Sequence, residues 1–281
     1  MHRLRGELSW RISDPIGEYK AKIHMASAAS IRFKVEASLA QRVPAALTLK
    51  IKQAPELFAT GMADVDEMLG GGIPRGSITE LSGSASTGKT SFALSAVASI
   101  TQLGNACAWV DVNDALSPEA TAAAGVELRR LLWLRMSAER RQKVTDKPWS
   151  RLEQALKATD LLLQTGGFGA IVLDMSDVLR EHTQRIPLAT WYRFRLAAEQ
   201  ARTALVFLTQ SPCASSCASL VLGCEPGEAV PFSSSGETPL FEGQQYQLAR
   251  ERNRNEDSPF MQRKPAQRVI WPAETLWSRV R

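Results

Sequence analysis

The chain has 281 residues, 44% apolar and 22% charged, which is close to globular averages, so a buried core can form and a fibrous or wholly disordered chain is excluded. No run of apolar residues is long enough to span a bilayer, and no apolar stretch follows the basic start MHRLRGELSW. A membrane segment and a secretory leader are therefore not expected, and the chain is read as cytoplasmic. The formal charge of +5 permits nucleic-acid contact without demanding it.

Residues 1–24 are expected to be disordered, with Met25 as a candidate for the true translation start. Between 25 and 58 the sequence predicts an N-terminal helix and a linker. Ile31, Val35, Leu39 and Val43 fall at helical spacing over 27–43, and Pro44 ends that helix ahead of an extended stretch.

From 59 to 250 apolar runs of strand length alternate with helical patterns. A short helix over 61–69 stops at Gly70, Gly71 and Gly72, and a turn at 74–76 leads into the strand SITELS. A helix over 90–101 follows, then strands over 106–111 and 130–136 and a helix over 150–163. Beyond these come a buried strand at 170–173, a helix over 188–202 and the strand ALVFLTQ. Such alternation implies an α/β fold, with a mostly parallel central sheet flanked by helices. After Pro226 the pattern suggests a hairpin, and 251–281 reads as a basic C-terminal segment. Cys213, Cys217 and Cys224 lack a fourth metal ligand nearby, so with Cys107 they are read as reduced thiols.

Between the first core strand and its helix stands Gly83-Ser84-Ala85-Ser86-Thr87-Gly88-Lys89-Thr90, which matches G-x-x-x-x-G-K-[ST]. Glycines in such a loop let backbone N–H groups turn toward phosphate oxygens at a helix N-terminus. Lys89 is expected to reach the terminal phosphates of ATP and Thr90 to ligate Mg2+. The apolar run AIVLD ends in Asp174, which is placed to complete the Mg2+ shell.

The stretches TGMADVDEMLGGGIPRGSITELSGSASTGKTS, CAWVDVNDALSPEATAAAGV and TALVFLTQS resemble the RecA family. The resemblance implies a RecA-like P-loop core in which Gln210 senses the γ-phosphate. It also puts Arg252 and Arg254 where recombinases carry two lysines that reach the ATP of a neighbouring subunit. Within the family, ELRRLLWLR, ATDLLLQTGGFGAIVLDM and LATWYRFRLAAEQARTALVFLT look most like ImuA-type accessory proteins. That likeness implies DNA repair within the SOS response to DNA damage, by translesion synthesis. The implied partners are an ImuB-like Y-family polymerase homologue, an error-prone polymerase, and RecA or a second copy of the chain.

The sequence departs from the recombinase pattern at three places. Recombinases carry a glutamate two positions after the aspartate that ends the second strand; here that position is Asn113. An amide can hydrogen-bond a water but cannot take its proton, so ATP is expected to be bound with weak or no hydrolysis. The flanking Asp111 and Asp114 are the candidates to replace the missing base. Ala120 stands where the family stacks an aromatic on adenine, so the phosphates are expected to supply most of the affinity. Both loops used for single-stranded DNA are short and lack aromatic platforms, so weak DNA contact and no strand exchange are expected.

Basic clusters at 129–143 and 250–281 suit phosphate contacts or a solvated face alike. Trp133 and Trp149 are assigned to the core, while Trp271 and Trp277 suit either a docking peptide or packing against the domain. The leading function is an ATP-binding accessory protein acting through partners. A DNA-dependent ATPase, and a nucleotide-independent scaffold or inhibitor, are the alternatives.

Overall fold

A computed structural model describes residue 37 and residues 55–136, 148–232, 240–253 and 268–274. Apart from residue 37 these belong to one unit, Ala54–Arg281. Apart from residue 37, the helix expected over 27–43 lies outside the described residues, as do the start at Met25, Arg254, Trp277 and the Trp149 side chain.

The unit opens with β1 (Leu57–Phe58), α1 (Ala63–Leu69) and β2 (Ile73–Pro74), where β1 and β2 pair antiparallel. There follow β3 (Ile78–Ser82), α2 (Lys89–Gln102), β4 (Ala106–Asp111), α3 (Pro118–Ala123) and β5 (Leu131–Arg135). Next come α4 (Pro148–Thr165), β6 (Phe168–Asp174), α5 (Arg180–Gln184), α6 (Leu188–Ala201) and β7 (Ala204–Thr209). Three long strands close the sequence of elements: β8 (Leu220–Phe232), β9 (Leu240–Asn253) and β10 (Arg268–Glu274). Among the described residues the main sheet has eight strands in the order β10-β9-β8-β3-β7-β6-β4-β5. Its pairs from β5 to β8 are parallel, whereas β8-β9 and β9-β10 are antiparallel.

The parallel strands explain their own sequences. Every residue of β3 and β7 is buried, as is nearly all of β4 and β6, because helices cover both faces. Alternate residues feed two separate cores. Trp109, Ala170, Val172, Val206 and Leu208 join α1 and α2 on one face. Ala108, Val110, Ile171, Leu173, Leu205 and Phe207 join α4 and α6 on the other. Edge strand β5 is only half covered, and Leu132 stays 45% exposed.

The described C-terminal residues extend the sheet. The boundary at 250 falls inside β9, and β10, assigned to a basic segment, is the eighth strand of the sheet. Trp271 is buried at 5% exposure, edge-on to Phe92 of α2 with ring centroids 6.3 Å apart, so it packs against the domain. Trp133 is only half-buried: Arg135 lies over its ring, and its indole N–H donates to Asp111 at 3.3 Å. Among the described residues no helix is long and apolar enough to cross a membrane.

Candidate nucleotide site

The carboxyl ends of β3, β4, β6 and β7 come level at one rim of the sheet. Asp111 pairs with Asp174, Asp174 with Leu208, and Ser82 with Thr209. Backbone bonds continue one residue past each strand. Val112 N–H donates to Asp174 O (3.3 Å), Met175 N–H to Leu208 O (2.9 Å) and Gly83 N–H to Thr209 O (3.2 Å). The loop before α2, Asn113, Asp174 and Gln210 therefore leave one crevice rim. In open α/β sheets, ligands bind outside the carboxyl ends of the strands.

The loop at 83–88 is tightly enclosed on one side and open at its tip. Ser84, Ala85 and Ser86 are exposed, while Thr87 is buried and its hydroxyl donates to Ser84 O at 2.9 Å. Gly88 opens α2 with φ 80°, in the left-handed region, and the Tyr246 ring of β9 occupies the space where a Cβ would stand. Gly83 is required by close approach, since a Cβ there would meet Cys224 O of β8 at 2.3 Å. Gly83→Ala is expected to lower stability by about 2–3 kcal/mol, roughly 4–10 °C in Tm, because backbone rather than a flexible side chain must yield. A melting curve superimposable on wild type would contradict this packing.

Lys89 is buried, and its ammonium donates to Gly83 O and to Ser84 O, the latter at 2.7 Å. Burial lowers its pKa below the usual lysine value, while the nearby carboxylates of Asp174 and Asp177 act the other way. Asp174 is also buried, and its carboxyl is pushed upward first by burial, then by the neighbouring charges of Asp111 and Asp177. Ser176 N–H donates to it at 3.0 Å and opposes that shift. Thr90, by contrast, is exposed at the first turn of α2. The crevice thus holds a desolvated cation beside buried carboxylates, and an open loop whose glycines admit no side chain. Those features fit a phosphate group with a divalent cation. Lys89 and the loop amides would hold the first, and Thr90 and Asp174 the second.

Beside it, the exit of β4 brings Asp111, Asn113 and Asp114 to the rim. Asp111 accepts four hydrogen bonds: from the backbone N–H groups of Asn113 (3.3 Å), Ala115 (3.1 Å) and Leu116 (2.9 Å), and from Trp133 Nε1 (3.3 Å). Asp114 sits at φ 59° and is bound two-pronged by Arg135, with Nη2 to Oδ2 at 2.6 Å. That contact holds the Asp114 carboxyl below its ordinary range. Both candidate substitutes for the base are therefore committed to structure, and Asn113 is left half-buried at the rim. Ala120 lies exposed on α3, a helix capped by Ser117, whose hydroxyl accepts from the Ala120 N–H at 3.2 Å.

Gln210 is exposed directly after β7. Arg252 lies in β9 and donates to the carbonyls of Ser215 and Ala218 (3.1 Å) of its own chain. In the first basic cluster, Arg130 bonds Glu127 and Gly104 O. After Asp174 the chain forms α5 with Val178 and Ile186 buried, and after Gln210 it makes one short turn, Ser215–Cys217. Tyr246 and the buried Glu80 were missed from sequence. A charge inside the apolar strand SITELS was the signal for Glu80, whereas nothing local marks Tyr246.

Comparison with known proteins bears on the same elements. Protein RecA of Saccharopolyspora erythraea is 40% identical over 120 residues, 42% of this chain and 31% of that protein. Protein RecA of Acinetobacter baylyi is 36% identical over 123 residues, 43% of this chain and 32% of that protein. The corresponding protein of Kineococcus radiotolerans is 36% identical over 126 residues, 44% and 32%. This chain thus spans about a third of the length of the curated relatives it matches. The pattern of the RecA N-terminal domain covers residues 34–185, which takes in β3, the glycine loop, β4 and β6 and stops before β7. With that match spanning more than half of its residues, and a mostly parallel α/β sheet carrying the loop at its rim, the chain belongs to the RecA N-terminal domain family.

Proposed function

We propose that this chain is an ATP-binding accessory factor of the DNA-damage response. It holds MgATP, hydrolyses it slowly or not at all, and acts through protein partners. The observation that carries the reading is the commitment of Asp111 and Asp114, which leaves Asn113 without a carboxylate to replace it. Bound MgATP would supply the phosphate charge and a divalent cation. The chain's own part is to neutralise with Lys89, to orient with the loop amides and Asp174, and to hold water at Asn113 without accepting its proton.

The ImuA-type role in translesion synthesis, with an ImuB-like Y-family homologue and an error-prone polymerase as partners, belongs to the same proposal and rests on the stretches quoted above. The ordered segments after Asp174 and Gln210 support a reading without strand exchange, since neither is a long DNA-binding loop. Steady-state phosphate release with and without single-stranded DNA tests the function. The expected result is slow release with no stimulation. Robust DNA-stimulated turnover would instead make the chain a DNA-dependent ATPase.

A further inference from the structure

Glu80 lies in the middle of β3 between Thr79 and Leu81, with 0% of its surface exposed. A buried carboxylate is costly unless strong donors satisfy it. Here Oε1 accepts the Cys213 N–H at 2.7 Å, and the Ala214 N–H reaches both oxygens at 3.3 Å. Burial raises its pKa, while these bonds and the charge of Arg252 pull it back down. Both donors belong to the segment 211–218, which begins immediately after Gln210.

The same segment is held from β9. Arg252 donates through Nη2 to the carbonyls of Ser215 and of Ala218, the latter at 3.1 Å. A carboxylate thus takes the N–H groups at one end of the segment and a guanidinium takes its carbonyls at the other. Ala214, Cys217 and Ala218 are buried between them, and Ser219 N–H donates to Ile78 O at 2.8 Å as the chain enters β8. On the opposite side of Gln210, Thr209 O accepts from Gly83 N–H, the first residue of the glycine loop. Gln210 is exposed, and its backbone runs between anchors at Thr209 on one side and Cys213 on the other.

We infer, resting on the reading of the nucleotide site given above, that Glu80 and Arg252 are positioning residues. Together they clamp 211–218 so that Gln210 distinguishes ATP from ADP, and Arg252 does this within its own chain rather than across a subunit boundary. The physical reason is that neither residue is part of the glycine loop, so neither sets the affinity for the phosphates common to both nucleotides. What they set is the placement of the exposed amide at 210. A γ-phosphate is the group that separates the two ligands, so an error in that placement is felt by ATP alone.

The test uses the full chain as wild type, Glu80→Gln, Arg252→Met and Arg252→Lys. Fluorescent ATP and fluorescent ADP are titrated with Mg2+ at high and low protein concentration, with amide hydrogen exchange recorded on the same samples. The preference for ATP over ADP is expected to fall about 5–20-fold in Glu80→Gln and Arg252→Met, with ADP affinity within about twofold of wild type. Exchange should accelerate in 211–218 and not in the central strands, which also verifies that the variants are folded. Lysine at 252 should recover part of the preference, because an ammonium serves one carbonyl without the fork geometry of arginine. An unchanged preference in the folded variants overturns the inference. So does a loss that varies with protein concentration, the mark of an arginine serving a neighbouring copy. If the wild type binds neither nucleotide, the reading of the glycine loop fails. If it binds both alike, that reading stands and the clamp fails.

Discussion

Lys89→Ala is expected to weaken ATP binding by about 10²–10⁴-fold, the loss of two charge-assisted hydrogen bonds of about 1.5–3 kcal/mol each. The Lys89 ammonium is a buried cation held against the glycine loop. It now rests on Gly83 O and Ser84 O, and only those two carbonyls must be released for it to turn outward. Its folded-state environment makes the charge expensive, as the downward displacement of its pKa shows, so its removal relieves a desolvation cost. Ser84 is exposed and also accepts the Thr87 hydroxyl, so water and Thr87 satisfy that carbonyl in the variant. The half-buried Gly83 O loses its donor, so a small fall in Tm is expected while affinity collapses. Titration with a fluorescent ATP, read alongside a melting curve, separates the two effects. Equal affinity in both proteins would leave a nucleotide-independent scaffold as the better account.

Asn113→Glu is expected to raise ATP hydrolysis by about 10²–10⁴-fold, the usual contribution of a positioned general base. The substitution adds one methylene and a charge at a half-buried rim position, so no core packing is disturbed. The loop that carries it keeps its scaffold, because Asp111 still caps the backbone N–H groups of residues 113, 115 and 116. Asp114 does not compete, being held by Arg135 on an exposed surface. Single-turnover phosphate release by the variant and the wild type is the direct measurement. A variant that stays at the wild-type rate would show that the missing base is not what limits this chain. Asp114→Asn serves as a control and should leave the rate unchanged while freeing Arg135.

The retained cradle and the altered base position suit a protein that uses ATP to hold a conformation rather than to cycle rapidly. On the function proposed above, binding would set the state of the crevice rim, and Glu80 and Arg252 hold the segment that places Gln210 at that rim. Such a device needs slow turnover, since each hydrolysis would reset it. The Lys89 variant tests occupancy, the Asn113 variant tests chemistry, and the Glu80 and Arg252 variants test the placement of Gln210.

Residues near one another in the chain were enough to predict the parallel sheet and to mark the glycine loop, Asp174 and Asn113 as candidates. Phosphate binding by a glycine loop depends on consecutive backbone N–H groups, and a strand buried on both faces must be apolar throughout, so each leaves a local mark in the sequence. The helix over 150–163 and the strand at 170–173 were located within a few residues of α4 and β6 for the same reason. The Tyr246 ring on Gly88, the burial of Trp271 against Phe92 and the hold of Glu80 and Arg252 on 211–218 emerged only from the folded chain. Each joins segments far apart in sequence, through strand neighbours and registers that no periodicity announces. Whether Asp111 or Asp114 was free to act as a base was likewise a tertiary matter. It turned on Trp133 and Arg135, which pair with Asp111 and Asp114 only because β5 lies beside β4.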